Sequence, residues 1–185
     1  ERVLGDAVLR AGDAHFSRNQ YDQAARYYDN AVQRQSSGFV YALYQKAIIE
    51  GLRGRTADKI LNMEQLVSQY PNSEYADDAL FELAEAYQER NLPQEALTPL
   101  RTIVSNYKQN SPLVNQSVLN LGLISFNLGN QEAAINYYKQ VFSNNPSAEE
   151  SERAKENLRE IYVDKMGQPD LFFQFFETLP GQEVN

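Results

Sequence analysis

SRNQYDQAARYYDNAV, residues 17–32, and FNLGNQEAAINYYKQV, residues 126–141, write one sixteen-residue sentence twice. Each has an alanine pair and a tyrosine pair, while the charged residues around them change. A catalytic site would keep polar groups; these copies keep size. Two further copies lie between them. LYQKAIIEGLRGRTADKILNMEQLVSQYP places Ala47 where the first copy has Gly12 and Met63 where it has Tyr28. LFELAEAYQERNLPQEALTPLRTIV places Ala84, Tyr87, Ala96 and Leu100 in the same order. A degenerate fifth copy, NLREIYVDKMGQPDLFFQFFETL, has Phe172 and Phe176 where alanine and tyrosine stood.

The small positions Gly12, Ala47, Ala84 and Gly122 follow one another at steps of 35, 37 and 38 residues. Such a period is close to the ~34 residues of a helix–turn–helix repeat. The longest step takes in KQNSP at 108–112, read as a longer turn, which costs little because loop closure grows slowly with length. Within each copy, apolar and small residues recur at three- and four-residue steps, as in Leu80, Leu83, Ala84 and Tyr87, the period of a helix. Stop and start signals separate two helices per copy. Ser111-Pro112 fits an N-cap followed by proline at the first helical position, and Ser147 with Glu150 fits a capping box. Pro93 and Pro169 open second helices; Pro71 and Pro146 close them. No alternating strand pattern competes, so the chain is read as all-α.

Composition narrows the chemistry. With Lys plus Arg at 17 against Asp plus Glu at 25, the formal charge is −8. That balance, without any basic run, argues against a nucleic-acid partner, since phosphate binding is built on clustered cations. Cysteine is absent, which removes disulfides, thiolate nucleophiles and Cys-based zinc sites. No apolar run approaches the ~20 residues of a spanning helix, so direct membrane insertion is not expected. The numbering opens at Glu1 without Met or a signal-like segment, which is read as a piece of a longer protein.

The pattern resembles the tetratricopeptide repeat family. The fourth copy supplies Leu121-Gly122, Ala134, Tyr138 and Pro146; the third supplies Leu83-Ala84, Tyr87 and Ala96; the first supplies Gly12, Ala24, Tyr28 and Ala31. The second copy departs most, with Lys59 at the small position and Glu50 at the aromatic one. The resemblance implies a right-handed α-α superhelix of about five helix pairs. Its repeats would fall near 5–38, 40–73, 77–110 and 115–148, with the degenerate copy at 150–180, in one array over 1–185. Gly12, Ala24, Gly122 and Ala134 would mark close helix approach, and Tyr28 and Tyr138 would fill the gap before the next pair.

The resemblance also implies a non-enzymatic scaffold that binds a peptide or protein along a concave face lined by first helices. The inner positions would be Leu9, Asp13 and Phe16; Tyr44, Ile48 and Leu52; Phe81, Glu85, Gln88 and Glu89; and Leu119, Leu123 and Phe126. Of these, Asp13, Tyr44, Ile48, Phe81, Glu85, Gln88, Leu119, Leu123 and Phe126 are the candidate peptide contacts. Such a groove suits an extended or helical segment with apolar anchors and some basic residues. No cation stands at these positions to clamp a C-terminal carboxylate, as some members of the family do.

Catalysis, metal and cofactor find little support. His15 is the lone histidine, placed where the family has an aromatic, and is read as a packing residue. Glu82, Glu85 and Glu89 share a helical face, but no Asp-rich loop accompanies them, so a solvated acidic face is the reading and a cation site the alternative. No G-x-S-x-G, H-E-x-x-H or phosphate-loop pattern occurs, and RGRTAD at 53–58 lacks the required ending.

LFFQFFETLPG at 171–181 puts Leu171, Phe172, Phe173, Phe175 and Phe176 around a whole helix, which calls for burial on two sides. One side is expected on Leu158, Ile161 and Tyr162; the other faces a flanking repeat of the parent chain, which is the favoured reading, a homo-oligomer mate, or the tail ETLPGQEVN at 177–185. A structural spacer in a longer array is therefore the second functional reading. SQYPNSEYADDALFELAEAYQ, 68–88, resembles repeats of bacterial envelope proteins. Residues 157–181 are similar to segments of large repeat proteins of the Bacteroidetes. On these likenesses a periplasmic or outer-membrane-associated location is favoured over the cytoplasm.

Overall fold

The computed structural model describes residues 2–107 and 112–179, with only the backbone described for 2–4. Among the described residues every regular element is a helix: α1 (Arg2–Phe16), α2 (Tyr21–Gln33), α3 (Phe39–Leu52), α4 (Thr56–Gln69), α5 (Ala76–Glu89), α6 (Pro93–Asn106), α7 (Val114–Asn127), α8 (Gln131–Ser143), α9 (Ala148–Arg159) and α10 (Pro169–Glu177). The chain is an all-α helical repeat. It divides into two compact units, Glu1–Ile103 and Val104–Asn185.

The turn inside each pair is built the same way four times. Asn19, Gly54, Asn91 and Gly129 all take a left-handed conformation, with φ of 59°, 73°, 58° and 81°. Glycine and asparagine tolerate that region best, which is why they alternate here. Each turn is closed by a bond reaching back over the helix end: Gln20 N to His15 O, Arg55 N to Glu50 O, Leu92 N to Tyr87 O and Asn130 N to Ser125 O, at 2.8–2.9 Å. These bonds satisfy carbonyls that a helix end otherwise leaves unpaired.

In the first unit, consecutive helices from α1 to α5 pack on one another. One core joins Ala24, Tyr28, Ala31, Ala42 and Ile49; another joins Ala47, Ile60, Met63, Leu66, Ala79, Leu83 and Ala86. Gly12 and Tyr28 fit as hole and knob: a Cβ on Gly12 would lie 2.6 Å from the Tyr28 ring. The glycine thus makes room for the tyrosine of its own pair. That tyrosine also meets Tyr41 of α3 edge-on, with ring centroids 6.1 Å apart.

The second copy solves the same problem with the sizes exchanged. Lys59 is 7% exposed and its stem crosses Gly51, where a Cβ would lie 2.8 Å from Lys59 Cδ. In the first copy the corresponding pair is Ala24 and Phe16. The large residue has moved from one helix to the other. Lys59 Nζ emerges to pair with Glu82 of α5 at 2.6 Å, as a buried lysine must.

The second unit is centred on Val118, Leu119, Ala134, Tyr138, Val141, Ala154, Leu158, Ile161, Tyr162, Phe172 and Phe176. Gly122 repeats the fit of Gly12, with a Cβ falling 2.6 Å from the Tyr138 ring. Ser147 Oγ accepts from Glu150 N at 3.2 Å, and Glu150 Oε2 accepts from Ser147 N at 2.7 Å, completing the capping box of α9. Pro93 and Pro169 are the first residues of their helices. Pro112 is not: α7 starts at Val114 with Leu113 at its N-cap position, two residues later than the proline rule gives, and Ser111 lies outside the described residues.

After α9 the backbone widens into a π-helical segment, Glu160–Lys165. The closing bond there, Gln168 N to Tyr162 O at 2.7 Å, spans one residue more than in the other four turns. Phe172 and Phe176 are buried against this segment and α9, while Leu171 and Phe173 are 42% and 47% exposed. One side of α10 is covered, as its composition requires, and two of its large apolar residues face outward.

Candidate protein-interaction site

Six of the nine candidate contacts lie in the first unit: Asp13 on α1; Tyr44 and Ile48 on α3; Phe81, Glu85 and Gln88 on α5. Asp13 is engaged by two phenols. Tyr28 donates to its Oδ1 at 2.7 Å and Tyr41 to the same oxygen at 2.8 Å. Asp13 therefore ties α1 to both α2 and α3. Burial and the Asp13 carboxylate push the Tyr41 phenol up to about 12, so both hydroxyls keep their protons as donors at neutral pH.

Tyr44 and Ile48 are half-buried and rest on the Ala47–Met63 core. Beside them sits Tyr75, the residue before α5. Its ring stacks on Tyr44 at 5.9 Å and 25°, and lies 5.5 Å from Tyr41. Tyr41, Tyr44 and Tyr75 thus form one partly exposed aromatic cluster across the starts of α3 and α5. The residues at 41 and 44 meet because they are one helical turn apart; Tyr75 joins them only through packing.

The surroundings of this cluster are acidic. Burial pushes the Tyr44 phenol up first, and Glu82, Asp78, Glu85 and Asp77 add to it. Asp78 is raised by burial and then by Asp77 and Glu82. Glu85 is raised by burial and then by Glu82 and Glu89, with Lys59 opposing. Mutual repulsion among carboxylates has that effect. Of these carboxylates, Glu82 is the one that forms an ion pair among the described residues, with Lys59. Phe81 is half-buried on the same helix, and Gln88 reaches back to Ala84 O at 3.5 Å.

The other three candidates lie in the second unit and differ from one another. Leu119 is 2% exposed and belongs to the core with Ala134 and Tyr138. Its methyls are spent on packing, so it lines no surface. Phe126 is partly buried against that same core. Leu123 is exposed.

His15 stacks on Tyr27 at 5.3 Å and 16°, with Nδ1 2.6 Å from Gln20 Oε1; it closes the α1–α2 turn. Glu82, Glu85 and Glu89 do not converge on a point. Glu82 goes to Lys59, and Glu89 accepts from Thr56 Oγ1 at 3.4 Å. Among the described residues no group of three or more His, Cys, Asp or Glu is placed to hold a metal. Sequence reasoning missed Tyr41, Tyr75 and Asp78. The first could have been found three residues before Tyr44; the other two fall at the start of α5, upstream of the stretch where inner positions are usually counted.

Three family models, each described as tetratricopeptide repeat, match residues 9–74, 78–110 and 116–147, together most of the chain. No curated protein matches it. Among solved structures, one described as MamA protein is 21% identical with a TM-score of 0.69, covering 94% of this chain and 88% of its own. A tetratricopeptide repeat protein from Parabacteroides merdae is 15% identical with a TM-score of 0.71, covering 96% and 68%. YrrB, described as a TPR protein with an unusual peptide-binding site, is 17% identical with a TM-score of 0.63, covering 92% and 81%. At these identities the likeness is one of fold.

Proposed function

Because the chain belongs to the tetratricopeptide repeat family, we propose that it is a non-catalytic scaffold that holds a segment of another protein on the inner face of α3 and α5. The observation that carries this reading is the Tyr41–Tyr44–Tyr75 cluster. Three large rings stand together, partly exposed, and Tyr44 and Tyr75 are stacked. Tyrosine supplies broad contact area at low cost in side-chain entropy, which is why it is enriched where proteins meet. Asp13 supports the site by fixing the Tyr41 hydroxyl, so the platform is ordered before a partner arrives.

The test places a photo-crosslinking amino acid at Phe81 and compares partner capture by the otherwise unchanged chain and by Tyr44→Ala. Capture of a discrete partner that is lost in Tyr44→Ala, with helicity unchanged by circular dichroism, supports the scaffold. Equal capture by both would remove the aromatic cluster from the site.

Exposed Leu171 and Phe173 on α10 favour a second reading, a spacer within a longer array. Under that reading, adding a further repeat after residue 185 should cover these two side chains and slow amide hydrogen exchange across α10; unchanged exchange would count against it. A bacterial envelope location is proposed on the short likenesses at 68–88 and 157–181 alone.

A further inference from the structure

Resting on the scaffold reading, we propose that the segment held on α3 and α5 carries a lysine or arginine, seated against the Tyr44 and Tyr75 rings and beside Asp78 and Glu85. Charge and ring geometry on this face agree. Tyr44 and Tyr75 stack on one another, and an aromatic ring presents a negative face to which cations are drawn. Asp77, Asp78 and Glu85 form no ion pair among the described residues. Lys59 is held under Gly51 and paired with Glu82 at 2.6 Å; it opposes the rise at Glu85 without cancelling it, and the carboxylates still repel one another.

A guest cation relieves that repulsion and gains the rings at once. Carboxylate segments meet the opposite balance and are repelled. A purely apolar segment finds the rings but leaves Asp78 and Glu85 without a partner in a less hydrated setting, which is unfavourable. A bare metal ion lacks convergent oxygens here. Charge complementarity therefore selects a basic, partly apolar peptide over the alternatives.

The test is selection from a random dodecapeptide display library on the immobilised chain, followed by affinity measurements on the enriched peptides made synthetically. Enriched peptides should carry Lys or Arg next to an apolar residue and weaken as salt rises. Replacing that cation by glutamine, or pairing the peptide with Asp78→Asn/Glu85→Gln, should each cost about tenfold in Kd. Both substitutions are on exposed side chains, so folding is preserved. Enriched peptides without a cation, sensitive to Tyr44→Ala and indifferent to Asp78→Asn/Glu85→Gln, would overturn the charge assignment and leave the scaffold standing. No enrichment at all would overturn both.

Discussion

Tyr28 and Tyr138 hold the same position in two copies of one repeat, and each ring lies over a glycine that could not carry a Cβ. Their hydroxyls have opposite fates. Tyr28 donates to Asp13 at 2.7 Å. Tyr138 Oη is buried with no hydrogen-bond partner among the described residues. The difference comes from the residue after the glycine, Asp13 in the first copy and Leu123 in the fourth. Ring and glycine are under packing selection in both copies. Between these two copies, only in the first does the hydroxyl join a network, and that network reaches Tyr41. The same scaffold position is a plain core residue in one unit and, in the other, a strut tied to the aromatic cluster on which the proposed function rests.

The largest way to probe the comparison is to remove the rings. Tyr28→Ala and Tyr138→Ala should each cost about 3–5 kcal/mol in urea unfolding, the range for losing a buried aromatic ring. Similar values would say that shape dominates both positions. Next in size, Asp13→Leu gives the first copy the residue of the fourth. It strands the Tyr28 and Tyr41 hydroxyls, for a loss of about 1–3 kcal/mol. It should also loosen Tyr41 enough to weaken any guest on α3 and α5. The smallest effect discriminates most. Tyr28→Phe should cost about 1 kcal/mol, whereas Tyr138→Phe should be close to neutral or slightly stabilising, because it deletes a buried donor that has no acceptor. Leu123→Asp then restores the missing acceptor. A double-mutant cycle of Leu123→Asp with Tyr138→Phe should show favourable coupling, where the present Leu123 shows none.

Some of this was legible without coordinates. The steps between Gly12, Ala47, Ala84 and Gly122 gave the repeat, and the Ser147–Glu150 spacing gave a helix start that the hydrogen bonds complete. The register of the first helices puts Asp13, Tyr44 and Phe81 at half-buried positions and Glu85 at an exposed one. Leu119, read by the same register, lies in the core, since one step along a helix separates an inner position from a core one. Lys59 looked like a fault in the second copy. It reads as a compensated exchange only once Gly51 is seen beneath it.

Periodicity, glycine placement and turn chemistry are local, and a single chain carries them openly. They determined the helices, their pairing and the left-handed turns at Asn19, Gly54, Asn91 and Gly129. Tertiary structure alone decided that Tyr75 joins Tyr41 and Tyr44, that Lys59 pairs with Glu82 while Asp78 and Glu85 form no ion pair among the described residues, and that Tyr138 Oη finds no acceptor among them. Each of these depends on side chains from different helices converging in space, and no spacing along the chain encodes that distance.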